Sequence, residues 1–403
     1  MHKGKTIGII VLTLLAHSGF SQREMNTSMI ETTTYKMYSN GQWKELINFG
    51  KQALDEGYDY FYLRYRIGTA YYNLGQFRLA VNQFRQALNF NSSEASSQEY
   101  LYYSLLYSGQ VDESRKLSKT FSPDAHQRLK DMKWSPINYI AAEGGTKIST
   151  SSLYPNPTYF QLSLSHSVAN RFSLTHAFTT YYQAESRGTI AQRQYFVQLN
   201  LPLGRGWLVS PSIHLVNLNF TTQKGAFNYR NLVTSLNFLK SFAYMDFSIG
   251  ASYSDVLIRP QYIQQTRVAF YPMGKTNFSF GGIAYIHKED NSGVTSDGTG
   301  PTSQYPVTVA FNPFINMRFS SRLDLYASYF RNLNENIPEA NGYLINNSQD
   351  LTLSRWVGVA TYKINEHWDL YGVYQYETKQ LLNSFSYQNN VLLIGLKFNP
   401  LLK

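Results

Sequence analysis

The sequence contains no cysteine, which excludes a disulfide framework, a thiolate metal site and an acylated lipoprotein N-terminus. Charge is scarce as well, at 15% of 403 residues. The balance is basic, +10, but the Lys and Arg are scattered without a run of five or more, so nothing marks a nucleic-acid partner. Beyond the N-terminus no apolar run approaches the roughly 20 residues a spanning helix needs, and the mean hydropathy is negative. Helical membrane spans are thereby excluded. A phosphate loop, a paired-carboxylate motif, a His-x-x-x-His helix and a G-x-S-x-G elbow are all missing, so the sequence reads as neither an enzyme nor a cofactor binder.

What the chain has in quantity is aromatic residues, 33 Tyr and 25 Phe. A barrel wall uses these as lipid-facing bulk and interfacial girdles, and a closed barrel is the one way for a polar-looking chain to cross a bilayer. Residues 137–398 carry the period-two pattern. In the last segment Leu392, Ile394, Leu396 and Phe398 fall on one face, with Leu393, Gly395 and Lys397 on the other. Candidate strands lie at 137–148, 157–169, 172–186, 189–201, 207–221, 226–239, 243–256, 261–271, 276–288, 304–319, 322–332, 350–364, 367–379 and 385–398. That is about fourteen, an even number suited to a bacterial single-chain barrel. Short turns at 169–171, 203–206, 240–242, 273–275, 320–321 and 365–366 follow every second strand. The polar stretches 290–303 and 332–349 are far longer and are expected outside.

On the apolar phase, Phe172, Trp207, Phe319 and Trp368 beside the short turns would form an inner girdle. The opposite phase carries Glu143, Lys147, Asp246, Arg267, Arg318, Arg322, Asp324 and Asp369 as candidate lumen-lining residues. They either line a water-filled passage or neutralise one another in a closed interior. His166 and His176 flank the first turn and are expected opposite each other on one face, with Ser163, Ser165, Ser167 and Ser173 nearby. A third metal ligand is not in view.

The N-terminus has Lys3 and Lys5, an apolar stretch at 7–15 and small residues at Gly19 and Ser21, so residues 1–21 read as a secretory signal peptide. Residues 22–133 then form a helical domain, and 134–403 the barrel. Gly41-Gln42, Gly75-Gln76 and Gly109-Gln110 recur 34 residues apart, the period of a helix-turn-helix repeat. The middle copy, with Ile67, Gly68, Tyr71, Ala80, Phe84 and Ala87, resembles a tetratricopeptide repeat. The flanking copies diverge, with Leu46 and Gly50, and Ser114 and Ser118, at two of these positions. That resemblance implies a concave groove on the first helices, here Tyr62, Tyr65, Tyr72, Asn73, Tyr103 and Tyr107. The groove would bind a peptide or a sugar polymer; the other reading has these rings packing the helices or resting on the barrel mouth.

Signal peptide, repeats and barrel together are similar in architecture to the YaiO-like family of outer-membrane proteins, and more distantly to exopolysaccharide exporters. The barrel is expected in outer-membrane lipid, and short turns on the periplasmic side together with an even strand count put the repeats in the periplasm, where they would dock a protein or polysaccharide partner. The expected function is a conduit for a polymer or solute. A non-conducting scaffold and, less favoured, a lipid- or glycan-modifying enzyme are the alternatives.

Overall fold

A computed structural model describes residues 25–129, 135–152, 154, 156–185, 188–223, 225–256, 260–289, 307–333, 337–344, 351–380 and 385–400. The expected signal peptide lies outside them. Seven helices come first: α1 (Thr27–Ser39), α2 (Trp43–Asp55), α3 (Phe61–Asn73), α4 (Phe77–Phe90), α5 (Ala95–Tyr107), α6 (Val111–Ser118) and α7 (Pro123–Leu129). The first six pair into three hairpins, each closed by the same device. Gly41, Gly75 and Gly109 adopt φ of +66°, +68° and +84°. The N–H groups of Gln42, Gln76 and Gln110 then donate to the carbonyls of Met37, Tyr71 and Leu105, all at 2.9 Å. This satisfies carbonyls that a helix end would leave orphaned and turns the chain into the next helix. The period of the Gly-Gln pair is thus the period of the hairpin.

The hairpins share one core, in which Ile30, Leu46, Leu63, Ile67, Ala80 and Phe84 are fully buried. Gly68 sets the approach of α3 and α4, because a Cβ there would lie 2.9 Å from the Phe84 ring. In the third hairpin Ser114 and Ser118 are buried and donate to carbonyls of their own helix, at Val111 and Arg115.

Fourteen strands follow: β1 (Ile137–Ser149), β2 (Thr158–Val168), β3 (Phe172–Glu185), β4 (Gly188–Gly204), β5 (Trp207–Thr222), β6 (Gly225–Ser241), β7 (Met245–Ser254), β8 (Gln261–Phe270), β9 (Phe278–Glu289), β10 (Val307–Arg318), β11 (Leu323–Leu333), β12 (Leu351–Lys363), β13 (Trp368–Gln380) and β14 (Ser386–Phe398). Each pairs antiparallel with its sequence neighbours, and β1 closes on β14 with Ile140 opposite Phe398 and Gly144 opposite Ile394. Side chains alternate across this wall with the usual soluble order inverted. Ile394, Val309, Trp356, Leu215 and Phe178 stand exposed on the outside, while Gln161, Ser163, Ser212, Asn237 and Ser252 are buried within. Apolar outside and polar inside is the pattern of a barrel in lipid, and closure leaves no unpaired sheet edge to dissolve there. The structure is therefore a transmembrane barrel preceded by a helical domain.

The expected turn asymmetry holds in part. At the end far from the helices, β3 stops at Glu185 and β4 starts at Gly188, and β5 and β6 are separated only by residues 223 and 224. These connections are short rather than long. Length is gained in the strands instead, since β4, β5 and β6 run to 17, 16 and 17 residues and project as a tall hairpin wall.

Candidate functional site: the vestibule and the lumen above it

The helical domain sits on the barrel end that carries the tight turns. Its principal anchor is Arg78, the second residue of α4. The guanidinium donates to the Phe242 carbonyl at 2.6 Å, the Met245 carbonyl at 3.1 Å and Asp246 Oδ1 at 2.5 Å, and lies 4.0 Å from the Tyr271 ring centre. Its side chain is only 2% exposed. One planar fork thus ties α4 to the β6–β7 turn and to the segment leaving β8. From α6, Glu113 accepts the Gly206 N–H at 2.8 Å in the β4–β5 turn while pairing with Arg85 at 2.5 Å. Lys116 donates to the Pro202 carbonyl at 2.7 Å, and Lys119 to the Ala169 carbonyl in the β2–β3 turn. Asp112 accepts from Ser173 at 2.9 Å; burial pushes its carboxyl above the usual carboxylate range, with the Ser173 hydrogen bond pulling the other way.

Between this cap and the barrel mouth lies a cavity of about 1390 Å³. The helices contribute Tyr72, Tyr103 and Tyr107. Inward strand residues Tyr139, Ser165, Thr175, Asn200, Asp246, Asp369 and Lys397 supply the other wall, with Arg322, Asn365 and Glu366 from the β10–β11 and β12–β13 turns. It is an aromatic and polar vestibule lined by both domains.

The six residues expected to form one groove separate into four places. Tyr72, Tyr103 and Tyr107 reach the vestibule. Tyr65 is half-buried among Tyr38, Phe61, Phe84 and Tyr100, each about 6 Å from its ring centre. Burial raises the phenol pKa of both Tyr65 and Tyr72. Tyr62 is exposed near α1, where the Arg66 guanidinium lies 5.5 Å from its ring and 5.4 Å from that of Tyr35. Asn73 is exposed and donates to the Thr69 carbonyl one turn back at 2.8 Å. Tyr65 and Tyr72, seven residues and about two turns apart, share a face and both meet Tyr100, so what divides them is distance along α3, while Tyr62 is turned away from that face.

The eight charged lumen candidates occupy two levels. At the mouth, Arg318 pairs with Asp324 at 2.8 Å, Arg322 and Asp369 border the vestibule, Asp369 accepts from Asn399 at 2.7 Å, and Asp246 is held by Arg78. Deeper in, Arg267 lies 4.9 Å from the inward Phe314 ring. Glu143 accepts from Tyr159 at 2.8 Å and from Tyr371 at 2.9 Å, and Lys147 follows four residues along β1 on the same phase. The partner of Asp246 comes from another domain, 168 residues away, and no sequence pattern connects two such positions. Arg78, Asp112 and Glu113 were for that reason not legible as site residues.

The two histidines lie diagonally rather than opposite: Leu164 faces His176, and His166 faces Leu174. Their rings stack at 5.2 Å on the outer phase, where His176 contacts the Tyr195 hydroxyl at 2.8 Å. Ser163, Ser165, Ser167 and Ser173 are on the inner phase, so the wall separates them from the histidines. A cluster of three or more His, Cys, Asp or Glu side chains suited to a metal is not found among the described residues.

One expectation is reversed. Residues 337–344, within the stretch read as an external loop, turn into the lumen. They form a small hairpin, with Glu339 bridged to Leu344 and left-handed backbone at Ala340, Asn341 and Gly342. Glu339 is buried and accepts both its contacts from Arg355 of β12, at 2.5 Å. The Asn341 carbonyl accepts from Ser212 at 2.6 Å, its side chain from Gln265, and the Gly342 carbonyl meets His214 Nδ1 at 2.7 Å. Tyr343 packs on Phe196 with ring centres 5.0 Å apart, and its hydroxyl accepts from Gln161. Ile337 seals one flank against Ile263, Tyr285, Ala310 and Phe330. The signal was present in Asn341-Gly342, a tight-turn dipeptide with Ile337 before it and Tyr343 and Leu344 after it.

No protein-family model matches the chain, and no curated protein does. Solved structures resemble it over the barrel. The CymD monoaromatic hydrocarbon channel is 8% identical with a TM-score of 0.47, over 68% of this chain and 90% of that one. A Pseudomonas aeruginosa FadL homologue is 6% identical with a TM-score of 0.42, over 65% and 89%. A bacterial polysaccharide outer membrane secretin is 7% identical with a TM-score of 0.38, over 66% and 99%.

Proposed function

We propose that the chain is an outer-membrane conduit for a polymer or solute, with its tetratricopeptide-like helical domain on the periplasmic side as docking platform and entrance. The observation that carries this reading is the vestibule: its walls come from both domains, so whatever the helices bind is delivered at the barrel mouth. Beyond it the inner wall is polar, a row of Ser, Gln, Asn and Thr side chains that can hydrogen-bond a hydroxylated cargo once the lumen opens. The mixed signs of Asp369, Lys397 and Arg322 at the mouth favour an uncharged or zwitterionic, hydroxyl-rich cargo over a simple ion. Aromatic rings at Tyr72, Tyr103, Tyr107 and Tyr139 offer the apolar faces on which such a cargo stacks.

A second reading, the non-conducting scaffold, is favoured by the hairpin of residues 337–344 across the lumen. Liposome permeability separates the two. The conduit reading expects folded protein to pass ions and oligosaccharides through otherwise tight vesicles. If permeability stays at the level of empty vesicles, also after residues 337–344 are removed, the scaffold reading stands instead.

A further inference from the structure

We propose that residues 337–344 form a crossbar that closes the lumen above the vestibule and sets what can pass, an inference that rests on the conduit reading. The segment belongs to the β11–β12 connection, and Arg355 fixes it to β12. Its tip is bound by Ser212 and His214 of β5. On a ring of fourteen strands β5 stands seven places from β12, on the opposite side. A segment anchored at both places spans the full width of the interior.

The two sides of the crossbar differ. Toward β8–β11, Ile337 completes an apolar cluster with Ile263, Tyr285, Ala310 and Phe330. Toward β13–β2, the crossbar meets a single row of wall residues: Tyr371, Gly395, Glu143 and Gln161 stand opposite one another in register across β13, β14, β1 and β2. Gly395 is required there, since a Cβ would lie 2.2 Å from the Tyr371 ring, which rests flat on the wall at that point. Tyr343 reaches this row through Gln161. The row and the crossbar together make a hydroxyl- and carboxylate-edged constriction.

The ties at the tip are reversible in kind. They are neutral hydrogen bonds from Ser, His and Gln to main-chain and amide oxygens, each of modest net worth because water or a hydroxylated cargo replaces it at little cost. The root is held by a buried ion pair, whose loss is far more costly. The crossbar is thus built to swing at its tip and stay attached at its root.

The absence of native cysteine makes the test direct. A Cβ at Gly342 would lie 2.7 Å from Ser235 Oγ, so the double variant Ser235→Cys, Gly342→Cys places two thiols together. In planar bilayers, oxidation of this variant is expected to abolish the current and reduction to restore it, while Gly342→Cys alone is insensitive to either. Removal of residues 337–344 is expected to raise the conductance and admit larger uncharged oligosaccharides. Heat-modifiable gel mobility reports that each barrel is folded. If the oxidised variant, with the disulfide confirmed by mass, conducts as the reduced one does, the crossbar is overturned and the conduit survives. A removal variant that folds and leaves conductance and size limit unchanged also overturns it. If every form is silent, the conduit reading itself fails and the crossbar with it.

Discussion

Arg78 shows how much of this architecture hangs on single side chains. Its fork makes five hydrogen bonds to carbonyls and a carboxylate of the barrel mouth while its face covers the Tyr271 ring. Removing one partner of a buried pair leaves the other charge uncompensated, at about 3–5 kcal/mol. Arg78→Ala is therefore expected to loosen the helical domain, read as faster protease cleavage between the domains with the barrel still folded. Arg78→Lys is expected to rescue poorly, because a point charge cannot span the Phe242 and Met245 carbonyls and Asp246 together. An unchanged cleavage rate in Arg78→Ala would mean that Glu113 and Lys116 of α6 suffice. At this scale the sequence was legible where chemistry is periodic and opaque where it is not. The inward phase of Glu143, Lys147, Asp246 and Arg267 follows from strand alternation alone. Their partners do not, since Arg78 and Tyr371 come from elsewhere in the chain.

At the scale of elements, the Gly-Gln turns and the strand edges carry the fold. Each turn glycine has left-handed backbone, which costs an L side chain about 1–2 kcal/mol. Gly75→Ala has open space for its methyl, so the backbone term alone is tested. It is expected to lower the first thermal transition of the full chain, followed by far-ultraviolet circular dichroism, and to leave barrel melting untouched. Equal melting of wild type and variant would show that the turn relaxes. These elements were readable because helix stops and strand alternation are local: β14 begins within one residue of its expected start and ends at the expected Phe398. The 337–344 hairpin was misplaced because the rule that long connections lie outside weighs length and polarity. It does not weigh the two apolar flanks and the Asn341-Gly342 turn that let this one enter a barrel wide enough to hold it.

For the whole molecule, the even number of strands decides the arrangement. With fourteen, Ile137 and Phe398 leave the barrel at the same end, and the helical domain that precedes Ile137 docks on the tight turns of that end. Trp207, Phe319 and Trp368 stand exposed beside those turns, with Lys240 5.0 Å from the Trp207 ring, as an interfacial belt requires. Short turns belong to the periplasmic side of such barrels, so the helices should be hidden in intact cells and the far strand tips displayed. The cysteine-free sequence again supplies the measurement. Phe90→Cys, on the exposed end of α4, is expected to resist a membrane-impermeant maleimide until the outer membrane is permeabilised. Phe385→Cys, exposed before β14 at the opposite end, is expected to react on intact cells. Labelling in the reverse order would place the helical domain at the cell surface, turn the vestibule into an outward-facing receptor, and make the crossbar close the periplasmic side of the barrel.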